Sequence, residues 1–278
     1  CGTRGTGLWH REAPDTLRQQ SFHGIIKGEF WHFEEPALPS LADIASAKAR
    51  FEQQVQPLLA RFAESKIATG EQVTPPQLVD ALRQLFAVLE KDTTDWDPSL
   101  PEDEAERIGD LSIGLLMDLA TWADRLGERK SKAALEVVSV SIAAWLVQEQ
   151  QPIHTLDPVV NGLAVLANGE RDPAALASLA RLMGAVVAAA EADYAADLES
   201  NDPQRPWRIL LFNWGITATR AQAPELMREA FAALQKFLPA DAQLFFQEGR
   251  QQVLQGDFSP EVQQVMLEAA EGSGHNLH

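Results

Sequence analysis

The densest set of oxygen-bearing side chains in the sequence is Asp95, Asp97, Ser99, Asp103 and Glu106. Counted from Asp95 they stand first, third, fifth, ninth and twelfth, the spacing with which a loop between two helices wraps oxygens around calcium. Two residues break the pattern. Leu100 stands sixth, where the sharp turn requires glycine, and Glu102 stands eighth, where an apolar anchor belongs. The same stretch also makes an ordinary helix start. Ser99 with Glu102 forms a capping box, and Glu102, Asp103 and Glu104 suit the positive end of the following helix. A calcium or magnesium site built on these five ligands is therefore the alternative reading of the acidic stretch 92–124, and the main reading expects no cofactor.

Other constellations are weaker. Asp92 and Asp95 resemble half of the aspartate-rich motif by which all-α enzymes grip a diphosphate through magnesium. The opposing cluster would have to come from Asp118 and Asp124 or from Glu191 and Asp193, and no spacing brings those together. The segment from Glu106 to Asp110 resembles the acidic helix of all-α nucleotide pyrophosphohydrolases. That chemistry needs a Glu-x-x-Glu pair one helix earlier, where residues 77–90 offer only Asp80 and Glu90, so it is rejected. Asp110 and Asp118 lie near apolar faces, and either is a candidate for a buried, hydrogen-bonded carboxylate with a shifted pKa. The six histidines lack zinc spacing, no Gly-x-Ser-x-Gly occurs, and no glycine loop is shaped for phosphate. No catalytic residue is assigned.

Two clusters are assigned to binding instead. Phe30, Trp31 and Phe33 belong to an aromatic arm that is docked on the body of the protein or offered to a partner. Arg205 and Arg208 pair with Glu199 or Asp202 or hold an acidic ligand; Trp207, Leu210, Leu211 and Trp214 beside them form a core face. Cys1 is the only cysteine, so no internal disulfide exists. A chain opening Cys-Gly-Thr, followed by a polar tether to Gln20, fits a mature lipoprotein lipidated on Cys1; the competing explanation is a fragment boundary. The expected location is cytoplasmic, with the cell envelope as the lipoprotein alternative.

Charge narrows the partners. With 23 Lys and Arg against 40 Asp and Glu, the net charge is -17, which repels nucleic acid and anionic membranes. No uninterrupted apolar run reaches the ~18 residues that span a bilayer: 176–190 is broken by Arg181, and 137–147 is too short. No transmembrane segment is expected.

The elements that position these residues read as helices from Ser40 to about Ala270. Helix one covers 40–64, with Pro57 expected to kink or split it. Thr74-Pro75-Pro76-Gln77 starts the second. The third turns Ile108, Leu111, Leu115, Leu119, Trp122 and Leu126 inward. The stretch 172–200 carries an apolar face beside a stripe of Ala177, Ala180, Gly184 and Ala188, and is expected to be the central helix. Helix-pair starts near 74, 131, 172 and 223 are unevenly spaced, which argues against a regular solenoid. The predicted fold is all-α: an irregular array of about ten antiparallel helices whose hairpins could stack like repeats. Residues 1–20 read as a tail, 21–38 as the aromatic arm, 39–270 as one helical domain and 271–278 as a second tail. The expected function is that of a non-catalytic interaction or scaffold protein, holding a protein or peptide between helices.

Overall fold

The computed structural model describes residues 43–67, 70, 72–92, 104–194 and 205–272. Cys1, Phe30, Trp31, Phe33, Asp95, Asp97, Ser99 and Asp103 lie outside the described residues. The fold is all-α. The helices are α1 (Ile44–Glu64), α2 (Pro75–Asp92), α3 (Glu104–Arg125), α4 (Arg129–Gln148), α5 (Asp157–Gly169), α6 (Pro173–Tyr194), α7 (Pro206–Arg220), α8 (Pro224–Phe237), α9 (Pro239–Gln255) and α10 (Pro260–Gly272). Among the described residues no strand occurs.

Local chemistry sets the helix starts. The Asp43 carboxylate accepts from the backbone N–H of Ala45 and Ser46 at 3.2 and 3.3 Å, and these bonds with the Ser46 hydroxyl hold its pKa below the usual value. At α2 the Gln77 side chain reaches back to the Thr74 N–H at 2.9 Å, the reciprocal half of the predicted capping box. Asp172 caps α6 through the Ala175 N–H at 2.9 Å. Pro57 neither splits α1 nor ends it. Pro57 and Gln53, whose carbonyl the ring deprives of its donor, are both exposed, so water can take the missing bond.

The helices gather into two compact units. The first comprises residues 43–166 with 188–190. In it α1 packs on α2, α2 on α3, α3 on α4, and α4 returns to α1. Only Leu126, Gly127 and Glu128 join α3 to α4, so those two run antiparallel. Phe51 meets Phe86 at 5.3 Å in the core. Every residue from Val138 to Leu146 is buried, so α4 is enclosed on all sides, as a helix apolar around its circumference must be. Across the α1–α2 surface Arg83 grips Glu52 with two bonds of 2.8 and 2.9 Å and holds its carboxyl below the usual range.

The second unit comprises residues 167–187 and 191–272. There α8, α9 and α10 pack on one another and α7 packs on α8. Phe231, Phe245 and Phe246 form its aromatic centre, with Phe212 stacked on Phe245 at 5.5 Å. Of the small-residue stripe predicted on α6, Gly184 admits the Trp214 ring, which an added Cβ would meet at 2.7 Å, while Ala188 is exposed.

By length and composition alone, α4 and α6 are each apolar enough to cross a membrane. Arg181 is the one charged residue within the apolar stretch 176–190 of α6. Core helices satisfy the same measure, and α4 is one.

Candidate functional site

Glu136 is the buried carboxylate of the first unit, and sequence reading passed it over in favour of Asp110 and Asp118. It lies on enclosed α4, where the Lys132 ammonium one turn earlier and the Asn161 amide of α5, at 3.0 Å, both donate to one of its oxygens. Burial pushes its pKa up, and the pull of Lys132 and Asn161 in the other direction does not offset it. The available signal was Lys132 four residues before a lone acid in an apolar run. Asp110 instead accepts the Thr155 N–H at 2.9 Å, and Asp118 is exposed.

A folded-state pKa above the ordinary 4.5 means that the native protein holds this proton more tightly than the unfolded chain. The stability Glu136 lends is therefore present below that pH and declines as pH rises through the folded value. Glu136→Gln should gain on the wild type in denaturant unfolding as pH rises from the ordinary 4.5 through the folded value. A difference constant with pH contradicts the assignment.

The arginines of the second unit are tied into its frame. Arg208 donates to both Asp241 oxygens at 2.9 and 2.8 Å and lies 4.5 Å over the Phe212 ring. Arg205 is buried and donates to the Tyr194 carbonyl. Arg220, which the sequence did not single out, closes the end of α5 through the carbonyls of Ala167 and Glu170, each at 2.7 Å. Of the five predicted cation ligands only Glu106 is described, and its carboxylate meets His154 at 2.8 Å. Among the described residues no group of three or more His, Cys, Asp or Glu is placed to hold a metal.

The largest departure from expectation is the face that α3 turns outward. Its core residues are Ala105, Gly109, Ser112, Ile113, Leu116, Leu119, Ala120, Trp122 and Ala123. Leu111, expected inward, is 52% exposed, and Met117 is 37% exposed. The cause is the approach of α4: a Cβ on Gly109 would lie 2.5 Å from Leu146, so at that level α3 turns its glycine to that helix. Rotating that side inward carries Leu111 out. Between Leu111 and Met117 sits Gly114, with nothing within 4 Å of where its Cβ would be. At 100° per residue, Arg107, Asp118 and Arg125 run down the middle of this face, Leu111 and Leu115 lie on one shoulder, and Gly114 and Met117 on the other.

Gly114 serves no turn and admits no described neighbour. Its conformation is helical, so Gly114→Ala should raise the free energy of unfolding by about 0.5–1 kcal/mol, measured with urea. A loss of stability contradicts the open face.

Comparison with protein-family models, with curated proteins and with solved structures yields no match to this chain.

Proposed function

We propose that this chain is a helical interaction protein that holds a protein partner on the outward face of α3. The observation supporting this reading is the pairing of exposed Leu111 and Met117 with an unfilled glycine notch, on a helix whose inward face is already complete. A glycine in mid-helix disfavours the isolated chain by roughly 0.5–1 kcal/mol, and the exposed leucine beside it leaves apolar surface in water that a neighbour could cover. Both become favourable when a neighbour's side chain enters the notch and covers the leucine. Departures from local rules of this kind concentrate at functional surfaces. The charge of -17 points away from nucleic acid as that neighbour.

The test is the size at which the chain migrates in extract of its own cells. Wild type crosslinked in the cells before lysis should run above the 30.5 kDa of the chain. Leu111→Asp with Met117→Asp should fall to the free size, whereas a control Gln53→Glu on exposed α1 should not. Identical migration of all three contradicts the proposal.

A further inference from the structure

We infer that the partner on α3 is a second copy of the same chain, paired antiparallel about a two-fold axis; this rests on the interaction reading and specifies its occupant. Along the outward face, Glu104, Arg107, Leu111, Gly114, Asp118, Thr121 and Arg125 follow one another at alternating steps of three and four. That is the seam of an antiparallel two-helix contact. In such a contact each layer joins the first seam position of one helix to the second seam position of the other. Setting Leu111 opposite the partner copy's Gly114 places a leucine knob into an open notch twice, once from each copy.

The same register sets the charges, with Arg107 also making an interaction within its own chain. Arg107 of each copy then stands opposite Asp118 of the other, and Glu104 opposite Thr121. On one flank Ile108 of one copy lies beside Leu115 of the other, extending the apolar strip. A symmetric interface must be self-complementary, with residue i meeting j and j meeting i, and this stripe satisfies that requirement for both shape and charge. A parallel pairing fails it, because Asp118 would meet Asp118 and Leu111 would leave Gly114 unfilled.

One helix face is a small contact, below the ~800 Å² per partner of a standard stable interface, so the dimer is concentration-dependent. Each copy also carries -17. Long-range repulsion between two such bodies outweighs two exposed ion pairs, so added salt should tighten the dimer by screening the repulsion. An association driven by the ion pairs alone would weaken.

Sedimentation equilibrium of the purified full chain, from about 1 µM to about 1 mM, reads the pairing. The average mass should climb from 30.5 kDa toward twice that value, and at lower concentration in 0.5 M than in 0.05 M salt. In 0.5 M salt, where the long-range repulsion is screened, Arg107→Glu and Asp118→Arg should each move the midpoint upward, by up to about tenfold, since each reverses two contacts per dimer. The two combined should restore it to within about twofold, because both pairs are rebuilt with opposite sign. These positions are exposed, and helix content by circular dichroism should stay unchanged in all three variants. A monomer at every concentration, a midpoint indifferent to either reversal, or a double variant without rescue each overturns the pairing. If the purified chain stays monomeric while Leu111→Asp with Met117→Asp still releases a complex from extract, the interaction role stands and the self-pairing falls.

Discussion

Replacing Gly162 by alanine should destabilise the first unit by about 3 kcal/mol, although it adds a single methyl group. The added Cβ would lie 2.2 Å from the Glu136 carbonyl oxygen, 2.6 Å from its carbon and 2.7 Å from a Val140 methyl. Two of those atoms are backbone of α4, at a level where Glu136 and Val140 are both buried. Helix α5 must therefore back away, which stretches the 3.0 Å bond from Asn161 to Glu136 and leaves a buried carboxylate with one partner fewer. Hydrogen exchange should show this locally, with protection lost first over residues 157–166. Unchanged protection there, with an unchanged unfolding midpoint, contradicts the close crossing.

The second large effect is in the other unit. Trp207→Ala should cost about 3–5 kcal/mol, since the side chain is fully buried, stacked on Tyr194 at 6.1 Å and edge-on to Phe237 at 5.3 Å. Trp207→Phe should cost much less. Its indole N–H is buried without an acceptor, so phenylalanine removes an unpaired donor along with some volume. With two compact units, unfolding need not be a single transition, so the loss is best followed through exchange in α7 and α8. A phenylalanine variant as unstable as the alanine variant would show that the N–H does find an acceptor.

The fold was legible because helix starts and apolar spacing are local properties. Thr74 with Gln77, Asp172 before Pro173, and the Trp207–Trp214 face all follow from chemistry within one or two turns. The outward face of α3 was not legible, for a reason that lies in a different helix. Periodicity grouped Leu111 with Leu115 and Leu119 as one inward stripe. The observed inward face keeps Leu119, Trp122 and Leu126 as expected but turns Gly109 to α4, whose Leu146 approaches closely there, and so carries Leu111 out. A rule that reads large apolar side chains as core has no means of choosing the glycine side. Glu136 was missed similarly, since one acid among valines looks like a surface residue until α5 brings Asn161 over it. Glu106 was chosen for oxygen spacing alone, and its observed neighbour is His154 from a loop far along the chain.

The most direct test of the interaction role is a photo-crosslinking amino acid at position 111 of the full chain, irradiated in its own cells. The account predicts a covalent adduct heavier by a polypeptide, absent when the same group replaces Gln53, and mapping to residues 104–125 of a second copy if the pairing is right. Capture only of solvent, or of residues 1–42 of the same molecule, would contradict it.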